Sequence, residues 1–392
     1  LTDVTGVQTC ALPICFFVNG VYLFFDFQLT KNIHAHVEAN VAATGFVNQF
    51  QEGNGVGIEV YDAYLEYQFT TEFNVLLGNV WTPFSMNGGN YSNELITIWY
   101  EPFIYAWDLG NNVGLMLYGT LDDTFEYCFG LYNGAGNMAV NDDDGFLFSG
   151  VFRYHYLGYE KNPNNYFHVG VMRSRNSPDG SNNADAVLYS PWGRQVYDGT
   201  VNNAHATKYG SAVVEESTTR GWKTGVDTAF RFDRTFDNGS NLRVEGEFIF
   251  MSFERDLTTG RLPYLHGFGA MFTIAYRHCF DKELEGSGLI PAFAFSYSDL
   301  DNKDTDDVGP GVGAPANIRG QRIYNYTLGL GYAFHKHVRV NFNWVMMNLE
   351  NRNVNPTKDR PAGSGGLEPA WFFQIDRQST RLNSSHVSQS RM

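Results

Sequence analysis

The stretch YNYTLGLGYAFHKHVRVNFNWVM, residues 324–346, decides the fold. Its first half sets Tyr324, Tyr326, Leu328, Leu330 and Tyr332 against Asn325, Thr327 and Gly329; its second half sets Val338, Val340, Phe342, Trp344 and Met346 against Arg339, Asn341 and Asn343. Successive side chains of a strand point to opposite faces, so this alternation predicts two extended segments with one apolar and one polar face each. The link near Phe334–His337 is short, as between neighbours in an antiparallel sheet.

The same pattern recurs up the chain. In Asn32–Thr44, Ile33, Ala35, Val37, Ala39 and Val41 oppose His34, His36, Glu38 and Asn40. In Glu59–Phe69, Tyr61, Ala63, Leu65, Tyr67 and Phe69 oppose Asp62, Tyr64, Glu66 and Gln68. In Asn241–Ser252, Leu242, Val244, Phe248 and Phe250 oppose Arg243, Glu245 and Glu247. A soluble sandwich would point its apolar faces at a core. Here the polar faces carry charges and the apolar faces end in Tyr, Trp and Phe, the pattern of a barrel with lipid outside, water inside and aromatic girdles at the headgroups.

Connection lengths agree. Short links fall near Thr30–Asn32, Thr70–Glu72, Leu121–Asp123, Tyr159–Asn164, Arg234–Ser240, Cys279–Gly288 and Phe334–His337. Longer polar links fall between them, near Gly45–Gly57, Trp81–Asn111, Asn133–Gly145, Arg173–Arg220, Phe253–Gly267, Asp299–Gln321 and Leu349–Pro369. Short and long alternate along the whole chain, as periplasmic turns and outer loops do in outer-membrane barrels. About 15 strands result, from Val21–Leu29 to Ala370–Arg377. The first ends in a short turn, so it runs inward, and one strand should precede it. The expected class is therefore an all-β, transmembrane antiparallel β-barrel of about 16 strands, the first of them missing here.

Composition excludes other classes. Mean hydropathy is −0.29, and no apolar run approaches the roughly 18–20 residues of a spanning helix. A formal charge of −15 argues against nucleic acid, which needs a basic face. Cys10, Cys15, Cys128 and Cys279 form neither a metal spacing nor a disulfide framework. The opening LTDVTGVQTCALPIC and the closing STRLNSSHVSQSRM resemble translated sequencing-adapter read-through. Residues 1–15 and 379–392 are accordingly expected to lie outside the barrel proper, residues 16–378, the alternative being disordered native tails.

Leu77–Gly119 resembles the phosphate-selective porin O and P family. Its residues GNVWTPFSMNGGNYSNELITIWYEPF and WDLGNNVGLMLYG stand where that family has "GxxxTPFG", "SSxDxTFxER" and "RDVGVxL". FEYCFGLYNGAGN, residues 125–137, is similar to the family's "YALGVFNGxG", and residues 326–348 to its "GLNWYxNPNVRxMxNYV" pair. The resemblance covers most of residues 20–377. It implies a 16-stranded, trimeric porin whose third loop folds into the channel. Two family arginines are absent: Tyr100–Glu101 stands at one position and Asn111 at the other. Basic residues are what would bind phosphate, so the resemblance carries the fold and the channel but not the phosphate preference.

Within Trp81–Asn111, Glu94, Glu101 and Asp108 are the candidate constriction carboxylates, since acidic rings favour cations; facing the outer vestibule is the alternative. Arg153, Arg231, Arg243, Arg277 and Arg339 are expected to line the pore opposite that loop, either as a basic ladder or paired with Glu245, Glu247 or Asp227 in the wall. His34, His36 and Glu38 share a face as metal ligands might, but polar lining accounts for them. Asp142–Asp144 and the run Asp299, Asp301, Asp304, Asp306 and Asp307 lack EF-hand spacing and read as solvated loops. His335 and His337 read as surface turn histidines. No metal or cofactor is expected, and no GxxxxGK[ST], GxSxG or HExxH motif occurs.

The expected function is an outer-membrane porin of a Gram-negative bacterium: a channel for passive diffusion of small hydrophilic solutes or ions, not an enzyme. Its partners would be those solutes, membrane lipid, lipopolysaccharide and two further copies in a homotrimer. An adhesin or structural barrel, binding through Arg173–Arg220 with Tyr189, Trp192 and Tyr197, is the alternative; an outer-membrane hydrolase is a third.

Overall fold

The computed structural model describes residues 2–10, 15–43, 56–88, 109–134, 145–176, 221–257, 260–280, 287–299, 322–335, 338–350 and 367–377. They form sixteen strands: β1 (Thr2–Cys10), β2 (Cys15–Gln28), β3 (Ile33–Ala43), β4 (Val56–Gln68), β5 (Asn74–Trp81), β6 (Asn111–Leu121), β7 (Phe125–Tyr132), β8 (Leu147–Tyr154), β9 (Tyr166–Asn176), β10 (Gly221–Thr235), β11 (Asn241–Leu257), β12 (Gly260–Cys279), β13 (Gly288–Asp299), β14 (Arg322–His335), β15 (Val338–Glu350) and β16 (Leu367–Arg377). Each pairs antiparallel with its sequence neighbours, and β1 pairs with β16, so the sheet closes on itself.

Thr2–Cys10 occupies the sixteenth position, and β2 opens at Cys15. Strand pairing is a main-chain interaction, so a segment with no amphipathic signature can still supply the hydrogen bonds that two open edges need. β1 joins β16 irregularly, with a register shift between Thr5 and Val7, whereas its pairing with β2 runs from Thr2↔Leu23 to Cys10↔Cys15.

The two faces are the inverse of a water-soluble sheet. One cross-strand row runs Leu65–Leu77–Leu115–Leu131–Phe148 over β4 to β8, and every member is exposed, Leu77 to 59%. A second runs Phe129–Gly150–Val171–Val226–Phe250. The intervening positions turn inward and are buried although polar: Glu66, Glu126, Arg153, Asp227, Glu245, Glu247, Thr327, Asn341 and Asn343. Fully burying a large apolar side chain is worth about 1.5–3 kcal/mol. An exposed belt of them closed around the sheet is stable only in hydrocarbon, which marks a transmembrane β-barrel. Alternation slips once in β3–β4: Tyr61 is bulged between Glu38↔Asp62 and Ala39↔Val60, so Glu38 and Ala39 are both buried.

The short end is tight for local reasons. Asp122 and Asp123 both have positive φ (50° and 53°), and the amide of Thr124 donates to the Leu121 carbonyl (3.0 Å), as in the two-residue turns that match strand twist. Thr30 and Thr70 start two turns alike: each hydroxyl accepts from the amides two and three residues on. At the other end, Phe253–Gly267 is not the open loop expected. β11 and β12 stay paired out to Leu257↔Gly260, so the polar residues read as a loop extend a hairpin beyond the belt.

Placing a charge in the belt tests the membrane-facing assignment. Leu77→Arg should lower folding stability in lipid vesicles by about 2–4 kcal/mol, read as a shift of the denaturant midpoint, while Leu77→Phe stays near the parent. Equal stability of parent and arginine variant would show that this face does not meet hydrocarbon.

Candidate functional site

The chain leaves the wall after Trp81 and returns at Asn111, and the two ends of that excursion are tied. The Thr82 amide donates to the Gly110 carbonyl (3.0 Å), and the Asn112 side-chain amide donates to Thr82 Oγ1 and to the Leu109 carbonyl, each at 2.9 Å. Gly110 sits at φ 57°, where a side chain would be strained.

From this root, residues 82–88 run into the lumen as a strap and dock on the inner faces of β9 to β12. Ser85 Oγ donates to Glu247 (2.6 Å), and so do the Asn87 side chain (2.8 Å) and backbone amide (3.3 Å). The Met86 amide donates to Asp227 (3.0 Å). His168 Nε2 lies 3.0 Å from the Phe84 carbonyl and 2.9 Å from Asp227 Oδ2, while Arg153 Nε donates to its Nδ1 (3.3 Å). Arg153 has only donors, so Nδ1 is the acceptor and Nε2 carries the hydrogen shared by the strap and Asp227. Met86 packs with Tyr166 and Ala229.

Two glycines make room. A Cβ on Gly170 would stand 2.0 Å from the Phe84 carbonyl oxygen, and one on Gly225 would meet Met251, Met172 and the Phe84 ring within 2.8 Å. Hydrogen bonds to charged groups are worth about 1.5–3 kcal/mol each, so Glu247 and Asp227 are the strap's main polar anchors, with Phe84 and Met86 as apolar ones.

The inner wall around the anchor is a charged mosaic. One row runs Glu126–Arg153–His168–Ala229–Glu247, the next Tyr166–Arg231–Glu245. Arg153 pairs with Glu126 (3.1 Å), which also meets His155 (3.0 Å). Glu245 takes Arg231 (2.8 Å) and Arg243 (2.5 Å) on one oxygen. Arg153 and Arg231 stand 5.1 and 5.5 Å from the Tyr166 ring, a cationic environment for an electron-rich face.

Of the residues singled out in the sequence, Arg231, Arg243 and Glu245 are brought together, Glu247 anchors the strap, and Arg153 pairs with Glu126, a partner the sequence did not suggest. Arg277 donates to the Gly239 carbonyl (3.4 Å), and Arg339 faces Asp376 across β15–β16 in register. His36 and Glu38 come together on β3, with Asp62 of β4 rather than His34 as the third member. Glu94, Glu101 and Asp108 lie outside the described residues. So do Tyr189, Trp192 and Tyr197, Asp142–Asp144, the acidic run beyond Asp299, and His337. The strap residues Ser85 and Asn87, which meet Glu247, and His168, which meets the Phe84 carbonyl, carry no sequence motif; only its place at an inner position of an alternating strand could have flagged His168.

No family model matches the chain, and no curated protein matches its sequence. Solved structures do match its shape. The outer membrane channel DcaP of Acinetobacter baumannii aligns with TM-score 0.53 and 10% identity, over 96% of this chain and 95% of that one. Salmonella typhi OmpF, in complex with daunomycin, gives 0.52 and 12% over 96% and 95%. The trimer form of Vibrio cholerae OmpT gives 0.51 and 10% over 96% of both. The chain has the fold of the outer-membrane porins. At these identities the likeness speaks of fold alone, and the strap and its anchors are read from this chain's own residues.

Uncoupling the strap tests its anchoring. Asn87→Ala and Glu247→Ala should each raise single-channel conductance, and the double variant should do little more than either, with a coupling of about 0.5–3 kcal/mol in stability. Gly170→Ala should displace the strap through the Phe84 carbonyl and change conductance with all anchor side chains intact. Additive stability effects and unchanged conductance would refute the docking.

Proposed function

We propose that this chain forms a water-filled channel in the bacterial outer membrane, through which small hydrophilic solutes or ions diffuse passively. What carries the reading is the conjunction of sixteen-strand closure with a polar inner wall and a strap docked across the lumen. Barrels of about 8 strands fill with their own side chains, whereas 16–18 strands leave an aqueous passage. A loop laid across that passage narrows it to a size- and charge-selective opening. Nothing in this function calls for covalent chemistry.

Selectivity follows from lining charge. The described wall sets Glu38, Asp62, Glu66, Glu126, Asp227, Glu245 and Glu247 against Arg153, Arg231, Arg243, Arg277 and Arg339. Several of the arginines are neutralised by pairing. With Glu94, Glu101 and Asp108 assigned to the constriction, the pore is weakly cation-selective. Trimeric assembly, which the family resemblance implies, and contact of the outer rim with lipopolysaccharide complete the proposal. We take residues 1–15 and 379–392 to be foreign to the natural protein, with Thr2–Cys10 standing in for its own first strand.

Reversal potential in a salt gradient across a planar bilayer is the decisive measurement. A modest cation preference is expected, moving toward neutrality in a Glu94→Gln, Glu101→Gln, Asp108→Asn variant. A strongly anion-selective pore overturns the acidic constriction, and a folded, inserted barrel with no conductance overturns the channel in favour of a structural or adhesive barrel.

A further inference from the structure

Beside the root of the strap, on the inner face of β3 and β4, His36, Glu38 and Asp62 bring one ligand atom each to within 4.8 Å of one another. Glu38 and Asp62 are direct cross-strand partners at the Tyr61 bulge, and Glu38 is only 1% exposed. Like charges directly opposite one another on adjacent strands repel. The Asn111 side-chain amide, at the strap's returning end, donates to Asp62 Oδ1 (2.6 Å) and to the Tyr61 carbonyl (2.8 Å). A divalent cation held between two carboxylates turns their repulsion into attraction.

The histidine is also prepared. Asp26 on β2 lies 2.6 Å from His36 Nδ1, and the ring stacks on Tyr64 with centroids 5.0 Å apart. A carboxylate on one imidazole nitrogen fixes the ring and its tautomer so that the other nitrogen can ligate a metal. Imidazole with two carboxylates is a donor set for zinc-type divalent ions, with water completing the shell. Ligands about 2.0–2.1 Å from a tetrahedral ion stand about 3.3 Å apart, so rotamer adjustments of an ångström or so close the site.

We propose that His36, Glu38 and Asp62 form a binding site for a divalent transition-metal ion, with Asp26 as the positioning residue behind His36. The bound ion cancels the net negative charge of Glu38 and Asp62 at the point where the strap leaves and rejoins the wall. Asn111 joins the two, because it belongs to the strap's root and holds Asp62. Occupancy therefore reduces cation preference and conductance. The binding claim stands on the three side chains alone; only its effect on current rests on the channel reading.

The test uses the full chain with Cys10→Ser and Cys15→Ser, folded in detergent and verified by heat-modifiable electrophoretic mobility, and Zn²⁺ as the probe. Calorimetric titration should show a saturable site that His36→Ala with Glu38→Gln removes. Asp26→Asn should weaken that site by about 10–100-fold, while His34→Ala leaves it in place. Zinc should lower single-channel current in the parent and not in the His36→Ala, Glu38→Gln variant. Loss of the titration signal in a double variant that still folds and still conducts confirms the site and keeps the channel. Zinc binding without any current keeps the site and sinks the channel. Absence of the saturable site in the folded parent, or its persistence in the double variant, overturns the assignment.

Discussion

Every main-chain hydrogen-bond donor and acceptor that sits in hydrocarbon must find a partner in the protein, because lipid supplies none. For a sheet this means closure, and the rest of this structure follows from it. A strand with an unpaired edge would leave a line of polar groups in the lipid, so Thr2–Cys10 fills the sixteenth position although it lacks the alternation of its neighbours. Once the ring is closed, each strand has one face toward lipid and one toward the interior, and period-2 alternation becomes a sorting of side chains between two solvents. The belt from Leu65 to Phe148 and the buried acids and arginines behind it are the two products of that sorting.

A ring of sixteen strands is too wide for its own inward side chains to fill, and the lumen needs structure of a different kind. The strap supplies it. Its docking is asymmetric: it leaves the wall at β5 and is held on β9 to β12, so it crosses the lumen rather than hugging the wall beside its root. Its anchors combine two buried carboxylates with two apolar side chains, and Gly170 lets its backbone touch the wall. Glu247 ends the row in which Arg153 is tied to Glu126, and in the next row Arg231 and Arg243 are tied to Glu245. Charges that pair inside the wall stiffen it and contribute little field across the opening.

The strap is tied at two places. On β10 and β11, Asp227 and Glu247 hold residues 85–87. At the root, Asn111 links the returning chain to Asp62 and through it to the cluster with His36 and Glu38. The proposed ion site thus lies beside the root, apart from the anchors on β10 and β11.

The sequence by itself determined the architecture. Alternation such as Tyr324–Tyr332 and Val338–Met346, with short and long links in turn, specified a lipid-facing barrel with the right neighbours, because the period of a strand is 2 whatever it packs against. Tertiary structure alone decided what meets across the lumen. Ser85 finds Glu247 at a separation of 162 residues, and no local pattern encodes an encounter that depends on closing the ring. The pairing of β11 and β12 out to Leu257↔Gly260 was hidden too, because the run Thr258–Gly260 followed by Pro263 reads as a loop in sequence. His36 and Glu38 were visible as neighbours on one strand, but their third member came from the adjacent strand, where the pairing register sets Asp62 opposite Glu38.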